Sequence, residues 1–207
     1  MREGVTSPVV DFVGGAVGHR LRAGEGRNQA LPKAAGFTKG RTPFVVDATA
    51  GLGRDAFLLA SLGASVVLIE RSGEMHGHLA DGLRRAALAG GIYAEIVSRM
   101  TLVFGDSKAI LPGLSPEVVL VDPMHPPRTN TALVKKDMRM LRDIVGADPD
   151  QRELLEVALA TATKRVVLKW PVKAPPMEGI RKPSHQLIGK STRYDVFMTA
   201  CAPLQAD

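Results

Sequence analysis

Residues 44–55 read Phe-Val-Val-Asp-Ala-Thr-Ala-Gly-Leu-Gly-Arg-Asp and decide the fold of this chain. The first three residues form a short apolar run that is typical of a buried strand. A glycine turn follows, and residues 56–62 then place apolar side chains at helical spacing. Glycines let the backbone approach a ligand closely, and the start of a helix offers free N–H groups. The stretch therefore predicts a strand, a nucleotide-type cofactor loop containing Gly51 and Gly53, and a helix.

The rest of the chain alternates between strand and helix patterns. Helical spacing predicts helices over 76–89 and 151–163, and apolar runs predict strands at 65–69, 100–104, 118–121 and 165–169. Two shorter β segments, around 186–188 and 194–198, predict an antiparallel hairpin at the edge of the sheet. Strands that alternate with helices favour an α/β, Rossmann-like fold with a mostly parallel central sheet.

Acidic residues stand where the first four predicted strands end: Asp47, Glu70, Asp106 and Asp122. Ligands of parallel sheets bind beyond the carboxyl ends of the strands, so we expect these side chains around one cavity. Glu70 follows the glycine turn by about 20 residues, which is the position that holds ribose hydroxyls. Asp106 is placed to contact an adenine amine, and Ser107 is expected to cap a short helix.

The glycine turn is compatible with two cofactors. It fits the dinucleotide fingerprint G-x-G-x-x-A, which is typical of nicotinamide enzymes. However, the charge of Asp47, directly before the turn, would repel a pyrophosphate and attract the cationic sulfur of S-adenosylmethionine. Together with the motif described next, this favours methyl transfer over hydride transfer.

The fourth strand is followed by Asp122-Pro123-Met124-His125-Pro126. The exocyclic amine of a purine is a poor nucleophile until hydrogen-bond acceptors draw on its hydrogens, and the Asp122 carboxylate and the Pro123 carbonyl supply two acceptors. His125 offers a planar ring, and Pro126 stiffens the turn. These residues predict a catalytic cradle for a nucleobase amine, although Asp-Pro also ends many strands that have no function.

Length and composition predict an ordinary soluble domain. The chain has 207 residues, of which 45% are hydrophobic and 23% charged. It contains no apolar run of about 20 residues that would span a bilayer and no apolar leader, so we expect a cytoplasmic protein without a membrane partner. One cysteine is compatible with a reducing compartment. The five histidines form no ligand-spaced cluster with cysteine, so no metal site is predicted.

The charge indicates a polyanionic partner. The formal net charge is +6 and the pI is about 9.7. We expect a short basic segment, residues 1–41, that packs on a catalytic domain formed by residues 42–207. Apolar spacing over 131–145 predicts a helix with basic residues on its other face. The candidate phosphate contacts are Arg20, Arg22, Arg27, Arg128, Lys135, Lys136 and Arg139. A solvated surface face is the alternative interpretation of the helix.

Several stretches, in this order, resemble the bacterial RsmJ-type ribosomal RNA small-subunit guanine-N2 methyltransferases. They read FVGGAVGHRLRAGEGRNQALPKAAG, VVDATAGLGRDAFLLASLG, LIERS, VDPMHPPR, ALVKKDMRMLRDIVG, ATKRVVLKWP and STRYDVF. The resemblance implies a class I S-adenosylmethionine-dependent fold. It also implies transfer of a methyl group to the N2 amine of a guanine near the 3′ end of 16S ribosomal RNA, as naked RNA or within the small subunit.

The resemblance implies further cofactor contacts beside the glycine loop. By position these fall on Arg54, Asp55, Glu70, Arg71, Asp106, Ser107 and Asp122. The chain departs from the family pattern in a shorter N-terminal region, in Asp106-Ser107 where Ser-Ser is frequent, and in His125 where Phe or Tyr is usual. An adenine-N6 nucleic-acid methyltransferase and a catalytically silent RNA-binding assembly protein remain alternatives, and the sequence does not set the oligomeric state.

Overall fold

A computed structural model describes residues 10–14, 26, 28–123 and 150–199 of the chain. The helices are α1 Ala30–Ala34, α2 Arg54–Ser61, α3 Gly73–Leu88, α4 Gly91–Val97, α5 Ser107–Ile110 and α6 Gln151–Thr161, with a 3-10 turn at Leu111–Gly113. The strands are β1 Val45–Asp47, β2 Val66–Glu70, β3 Met100–Phe104, β4 Val118–Val121, β5 Arg165–Pro171, β6 His185–Ile188 and β7 Thr192–Met198.

The strands form one sheet in the order β3-β2-β1-β4-β5-β7-β6. Strands β1 to β5 are parallel, and β7 pairs antiparallel with both β5 and β6. The predicted mostly parallel sheet with an antiparallel edge hairpin is therefore confirmed. In the register of this sheet, Asp47 at the end of β1 lies between Leu68 of β2 and Leu120 of β4.

The sheet is buried on both faces, which explains why its central strands are continuous apolar runs. Successive residues alternate between two hydrophobic clusters: Val45 belongs to the cluster under α1 to α4, and Val46 belongs to the cluster under α6. By the same alternation, Asp47 and Glu70 face the side of the sheet that carries α2 and α3.

Three local features differ from the predictions. Helix α3 begins at Gly73, three positions before the predicted start, because the Ser72 hydroxyl accepts a hydrogen bond from the Met75 N–H at 3.3 Å. Two short helices were not predicted: α1, and α4, which begins after Gly90 at φ 72°.

The N-terminal residues that the structure describes pack into the core. Val10 and Phe12 are buried, and the Phe12 ring stacks on Phe57 of α2 with centroids 4.8 Å apart. Helix α1 lies near the start of β5, where Arg165 donates to the Ala34 carbonyl at 3.3 Å. The domain boundary at residue 42 stays a prediction.

The predicted helix over 131–145 lies outside the described residues. Among the residues that are described, no helix is both long and apolar enough to cross a bilayer. Within the same part of the chain, no group of three or more His, Cys, Asp or Glu side chains is arranged to hold a metal ion.

Candidate active site

The glycine loop after β1 is closed by backbone hydrogen bonds and by one carboxylate. Gly53 N–H donates to the Ala50 carbonyl at 2.8 Å, and Gly51 N–H donates to Glu70 Oε2 at 2.9 Å. Gly53 has φ 66°, and a Cβ there would lie 2.7 Å from Leu79 Cδ1. The left-handed backbone therefore favours glycine at position 53, and a Cβ there would force the Leu79 side chain to shift.

Glu70 joins the glycine loop to the start of α3. Its side chain is buried, and its second oxygen accepts a hydrogen bond from the Ser72 N–H at 2.8 Å. A carboxylate has about four lone-pair positions, so these two bonds leave capacity for ligand hydroxyls. The position of Glu70 at the end of β2, against the loop, fits its predicted role toward a ribose.

Asp122 lies directly after β4 and is tied to the same loop. Its N–H donates to the Thr49 hydroxyl at 2.7 Å, and the Thr49 N–H donates to Asp47 Oδ1 at 3.1 Å. Pro123 follows and is buried. The predicted amine cradle and the predicted cofactor loop are thus hydrogen-bonded to each other, although 73 positions separate Asp122 from Thr49.

Lys169 joins two carboxylates at this edge of the sheet. Its Nζ lies 2.7 Å from Asp55 Oδ2 and 2.8 Å from Asp122 Oδ2. The side chains of Lys169 and Asp55 are each 25% exposed, and that of Asp122 is 40% exposed. Burial acts to lower the pKa of Lys169, but the charges of Asp122 and Asp55 outweigh it and raise this pKa above its usual range.

Asp47 lies near Asp55, Asp122 and Lys169 and is buried, with 3% of its surface exposed. Burial raises the pKa of Asp47 to about 7, and the negative charge of Asp55 adds to the effect. The Thr49 N–H and Lys169 act in the opposite direction without cancelling the rise. Near neutral pH, Asp47 is therefore protonated in a large fraction of the molecules. Only the remaining molecules carry the negative charge that was predicted for it.

The ends of β2 and β3 are linked to α6 by ion pairs. Arg71 Nη1 lies 3.1 Å from both oxygens of Asp150, and Lys108 Nζ lies 2.8 Å from Asp150 Oδ2. The hydrogen bond from Lys108, with that from Arg71, lowers the pKa of Asp150. Arg71, a predicted cofactor contact, therefore lies beside the start of α6. Asp106, another predicted contact, lies there too, because it is 3.9 Å from the Lys108 ammonium group that binds Asp150.

The predicted capping role of Ser107 is wrong. Asp106 is the N-cap of α5, and its Oδ1 accepts a hydrogen bond from the Lys108 N–H at 2.9 Å. Ser107 is buried, and its hydroxyl donates to the Ala48 carbonyl at 2.6 Å. Asp and Ser are both good N-caps, so their order along the chain could not distinguish them.

The described site therefore combines most of the predicted cofactor residues. These residues stand at or after the carboxyl ends of β1 to β4: Asp47, Gly51, Gly53, Arg54, Asp55, Glu70, Asp106 and Asp122, with Arg71 and Ser107 adjoining them. Lys169 was assigned only to a strand, although a lysine within the apolar run Val-Val-Leu-Lys-Trp was a signal for a buried charge partner. Trp170 is buried and donates to the Pro175 carbonyl at 2.8 Å, which makes it a structural residue.

The remaining predicted site residues lie outside the described residues. They are the cradle residues His125 and Pro126 and the candidate phosphate contacts Arg20, Arg22, Arg27, Arg128, Lys135, Lys136 and Arg139.

Comparison with known proteins agrees with this geometry. Residues 3–199 match the family described as "Putative SAM-dependent methyltransferase". A ribosomal RNA small subunit methyltransferase J from Agrobacterium fabrum is 77% identical, over 96% of this chain and 95% of that protein. The chain belongs to the ribosomal RNA small subunit methyltransferase J family. A family relative of the same name from Brucella anthropi is 71% identical, over 93% of this chain and 94% of that protein.

Solved structures agree with this assignment. A SAM-dependent methyltransferase from Neisseria gonorrhoeae has a TM-score of 0.72 at 37% identity, over 96% of this chain and 76% of that one. An RNA methyltransferase from Salinibacter ruber, solved with S-adenosyl-L-homocysteine, shares the fold alone, with a TM-score of 0.52 at 12% identity over 85% and 92% of the two chains.

Membership of the methyltransferase J family confirms three predictions. The fold is the class I methyltransferase fold, the protein is a methyltransferase, and its cofactor is S-adenosylmethionine. The nicotinamide interpretation of the glycine turn and the catalytically silent alternative are therefore both set aside. The described residues fit this cofactor, because carboxylates at the edge of the sheet suit a cation and Glu70 suits ribose hydroxyls.

Proposed function

We propose that this protein methylates the exocyclic N2 amine of a guanine in 16S ribosomal RNA. The observation that carries the proposal is Asp122, whose carboxylate stands directly after β4 and whose backbone is bonded to the glycine loop through Thr49. The name of its 77% identical relative supports ribosomal RNA of the small subunit as the substrate. A ribosomal substrate also implies that the protein works in the cytoplasm.

The cofactor would be held by residues at the ends of β1 to β3. The backbone of Gly51 and Gly53 would lie beneath its amino-acid portion, and Glu70 would bind the ribose. S-adenosylmethionine supplies a methyl group on a positively charged sulfur. The further contacts proposed for it are Asp47, Arg54, Asp55, Arg71, Asp106, Ser107 and Asp122.

The guanine would turn out of its RNA surroundings into the cradle that begins at Asp122, as in other enzymes that modify bases. Asp122 would accept a hydrogen bond from the N2 amine and receive the proton that the amine loses on methylation. The Pro123 carbonyl would accept the second hydrogen. His125 would stack on the base, and Pro126 would stiffen the turn.

The RNA around the target base would be gripped by basic residues near the cradle and in the N-terminal segment. These are Arg128, Lys135, Lys136 and Arg139, and Arg20, Arg22 and Arg27. Neutralising phosphates would supply affinity but no sequence selection.

The proposal is tested with the substitution Asp122→Ala. Small subunits and free 16S RNA from cells that lack the protein are incubated with labelled S-adenosylmethionine, and the nucleosides are identified by mass spectrometry. The parent should produce N2-methylguanosine, and Asp122→Ala should lower turnover by at least about 100-fold while binding of the cofactor in calorimetry persists. Asp81→Ala, at an exposed position of α3, is the control and should retain parental turnover.

Two results would contradict the proposal. Methyladenosine as the product would identify the adenine-N6 alternative. Parental turnover by Asp122→Ala would show that the cradle has been assigned to the wrong residue.

A further inference from the structure

Lys169 is the residue of the site that neither the sequence motifs nor the cofactor assignment explains. Its ammonium group lies within 2.8 Å of carboxylate oxygens on two separate elements, the first turn of α2 and the residue after β4. The side chain is 25% exposed, so water screens these charges only in part.

The alternation of β5 places Lys169 on the same side of the sheet as the acidic residues. Val167 belongs to the cluster under α1 to α4, and Lys169, two residues later, points to that side. Val121 pairs with Leu168 in the parallel register, so Asp122 and Lys169 stand level with each other. Strand register therefore places the two residues side by side, within reach of the Lys169 side chain.

Asp122 is consequently held at two points. Its backbone N–H is bonded to the Thr49 hydroxyl at 2.7 Å, and its Oδ2 is bonded to Lys169 at 2.8 Å. Asp55 holds Lys169 from the opposite side at 2.7 Å. A carboxylate that is fixed at both its backbone and its side chain loses little freedom when an amine binds, and such positioning lowers the barrier of the reaction.

The ammonium group also balances part of the carboxylate charge at this edge of the sheet. The charged groups that face Lys169 from the described elements are Asp47 on β1, Asp55 on α2 and Asp122 after β4. Arg193 and Asp195 of β7 bond to each other, and Asp195 pairs with Leu168, whose side chain lies on the opposite face.

We propose that Lys169 is a positioning residue for methyl transfer, which holds the Asp122 carboxylate oriented toward the substrate amine while Asp55 anchors the ammonium group. This inference rests on the proposed function, because it acts through the role assigned to Asp122. It adds that the turnover of the enzyme is set partly by a residue of β5.

The test compares Lys169→Met with the parent. Methionine has a similar length and no charge, so kcat should fall by about 10- to 100-fold. Lys169→Arg keeps a positive charge and should retain more turnover than Lys169→Met.

Cofactor binding separates this role from a merely structural one. Removing a positive charge should leave the affinity for S-adenosylmethionine unchanged or increase it, and should leave the affinity for S-adenosylhomocysteine, which lacks the sulfonium charge, unchanged. A purely structural defect would lower the affinity for both ligands. If Lys169→Met fails to fold in thermal unfolding, Lys169→Gln replaces it with the same expected outcomes.

A double-mutant cycle identifies the residue through which Lys169 acts. The Asp122→Asn variant keeps the shape of the side chain and removes its charge. In this background, Lys169→Met should change kcat by less than about twofold. Equal losses in the two backgrounds, or parental kcat in Lys169→Met, would overturn the inference. A parent that forms no N2-methylguanosine would instead overturn the proposed function, so the two failures are distinguishable.

Discussion

At the scale of single residues, the buried carboxylate of Asp47 shows how protonation limits the negative charge of the site. Its pKa is raised to about 7 because it is buried and lies near Asp55. Three carboxylates around one lysine would leave excess negative charge in a poorly hydrated place, and a proton on Asp47 relieves it. When a cationic cofactor binds, this proton is expected to leave.

The raised pKa of Asp47 predicts a pH dependence of stability. An aspartate in the unfolded chain ionises near pH 4, whereas folded Asp47 keeps its proton to about pH 7. The folded state therefore binds more protons over this window, and its stability falls as pH rises, by at most about 1.4 kcal/mol per pH unit. Asp47→Asn should remove this fall.

Urea unfolding of the parent and of Asp47→Asn, at intervals from pH 5 to pH 8, measures the difference directly. The variant should gain stability relative to the parent as pH rises to 7, and the difference should then stay constant. Parallel curves for the two proteins would contradict the assigned pKa.

At the scale of elements, helix α3 contains two interior glycines with opposite surroundings. Gly82 is buried, and a Cβ there would lie 2.6 Å from Val10 Cγ1 and 2.8 Å from the Val10 carbonyl oxygen. Gly77 is exposed, and a Cβ there would meet nothing within 4 Å. The absence of a side chain at Gly82 therefore lets the N-terminal segment lie directly on α3.

This pair predicts opposite effects of the same substitution. Gly82→Ala should lower the free energy of unfolding by about 1–3 kcal/mol, because the backbone at Val10 must move. Gly77→Ala is the matched control in the same helix and should raise it by about 0.5–1 kcal/mol, because alanine is the better helix former. Thermal unfolding should show the two changes as shifts of opposite sign, and a stabilised Gly82→Ala would contradict the close contact.

At the scale of the whole molecule, carboxylates are concentrated at one edge of the sheet. This carboxyl edge carries Asp47, Asp55 and Asp122, although the chain has a formal net charge of +6. These carboxylates would repel an RNA backbone, so we expect affinity for RNA to come from basic residues elsewhere in the chain. At the opposite end of β4, Arg41 and Lys164 both pair with Glu117.

We therefore expect the proposed phosphate contacts Lys135, Lys136 and Arg139 to contribute salt-dependent affinity for RNA. Their joint replacement by alanine should weaken binding of 16S RNA at low salt and reduce the slope of log Kd against log salt by about 2. Fluorescence anisotropy at several salt concentrations measures both quantities. Lys164→Ala, at the opposite end of the sheet, is the control and should leave the slope nearly unchanged, and equal slopes for all proteins would refute the assignment.

The sequence by itself determined the strands and the longer helices of this protein, and the strand ends at which the predicted site residues stand. Strands β3 and β4 have the predicted bounds, because apolar runs and glycine turns are local signals. The acidic residues at the ends of β1 to β4 could be predicted for the same reason, because each of these strands is recognisable from its own sequence. The family motifs then identified the cofactor.

The tertiary structure alone decided which of these residues meet. Lys169 and Asp55 are 114 positions apart and are joined only by strand order and register, and β7 enters between β5 and β6. The close approach of Val10 to Gly82 likewise left no periodic trace in the chain. Periodicity reports which side of an element is buried, whereas the partner across a sheet or beneath a helix is set by how all the elements pack together.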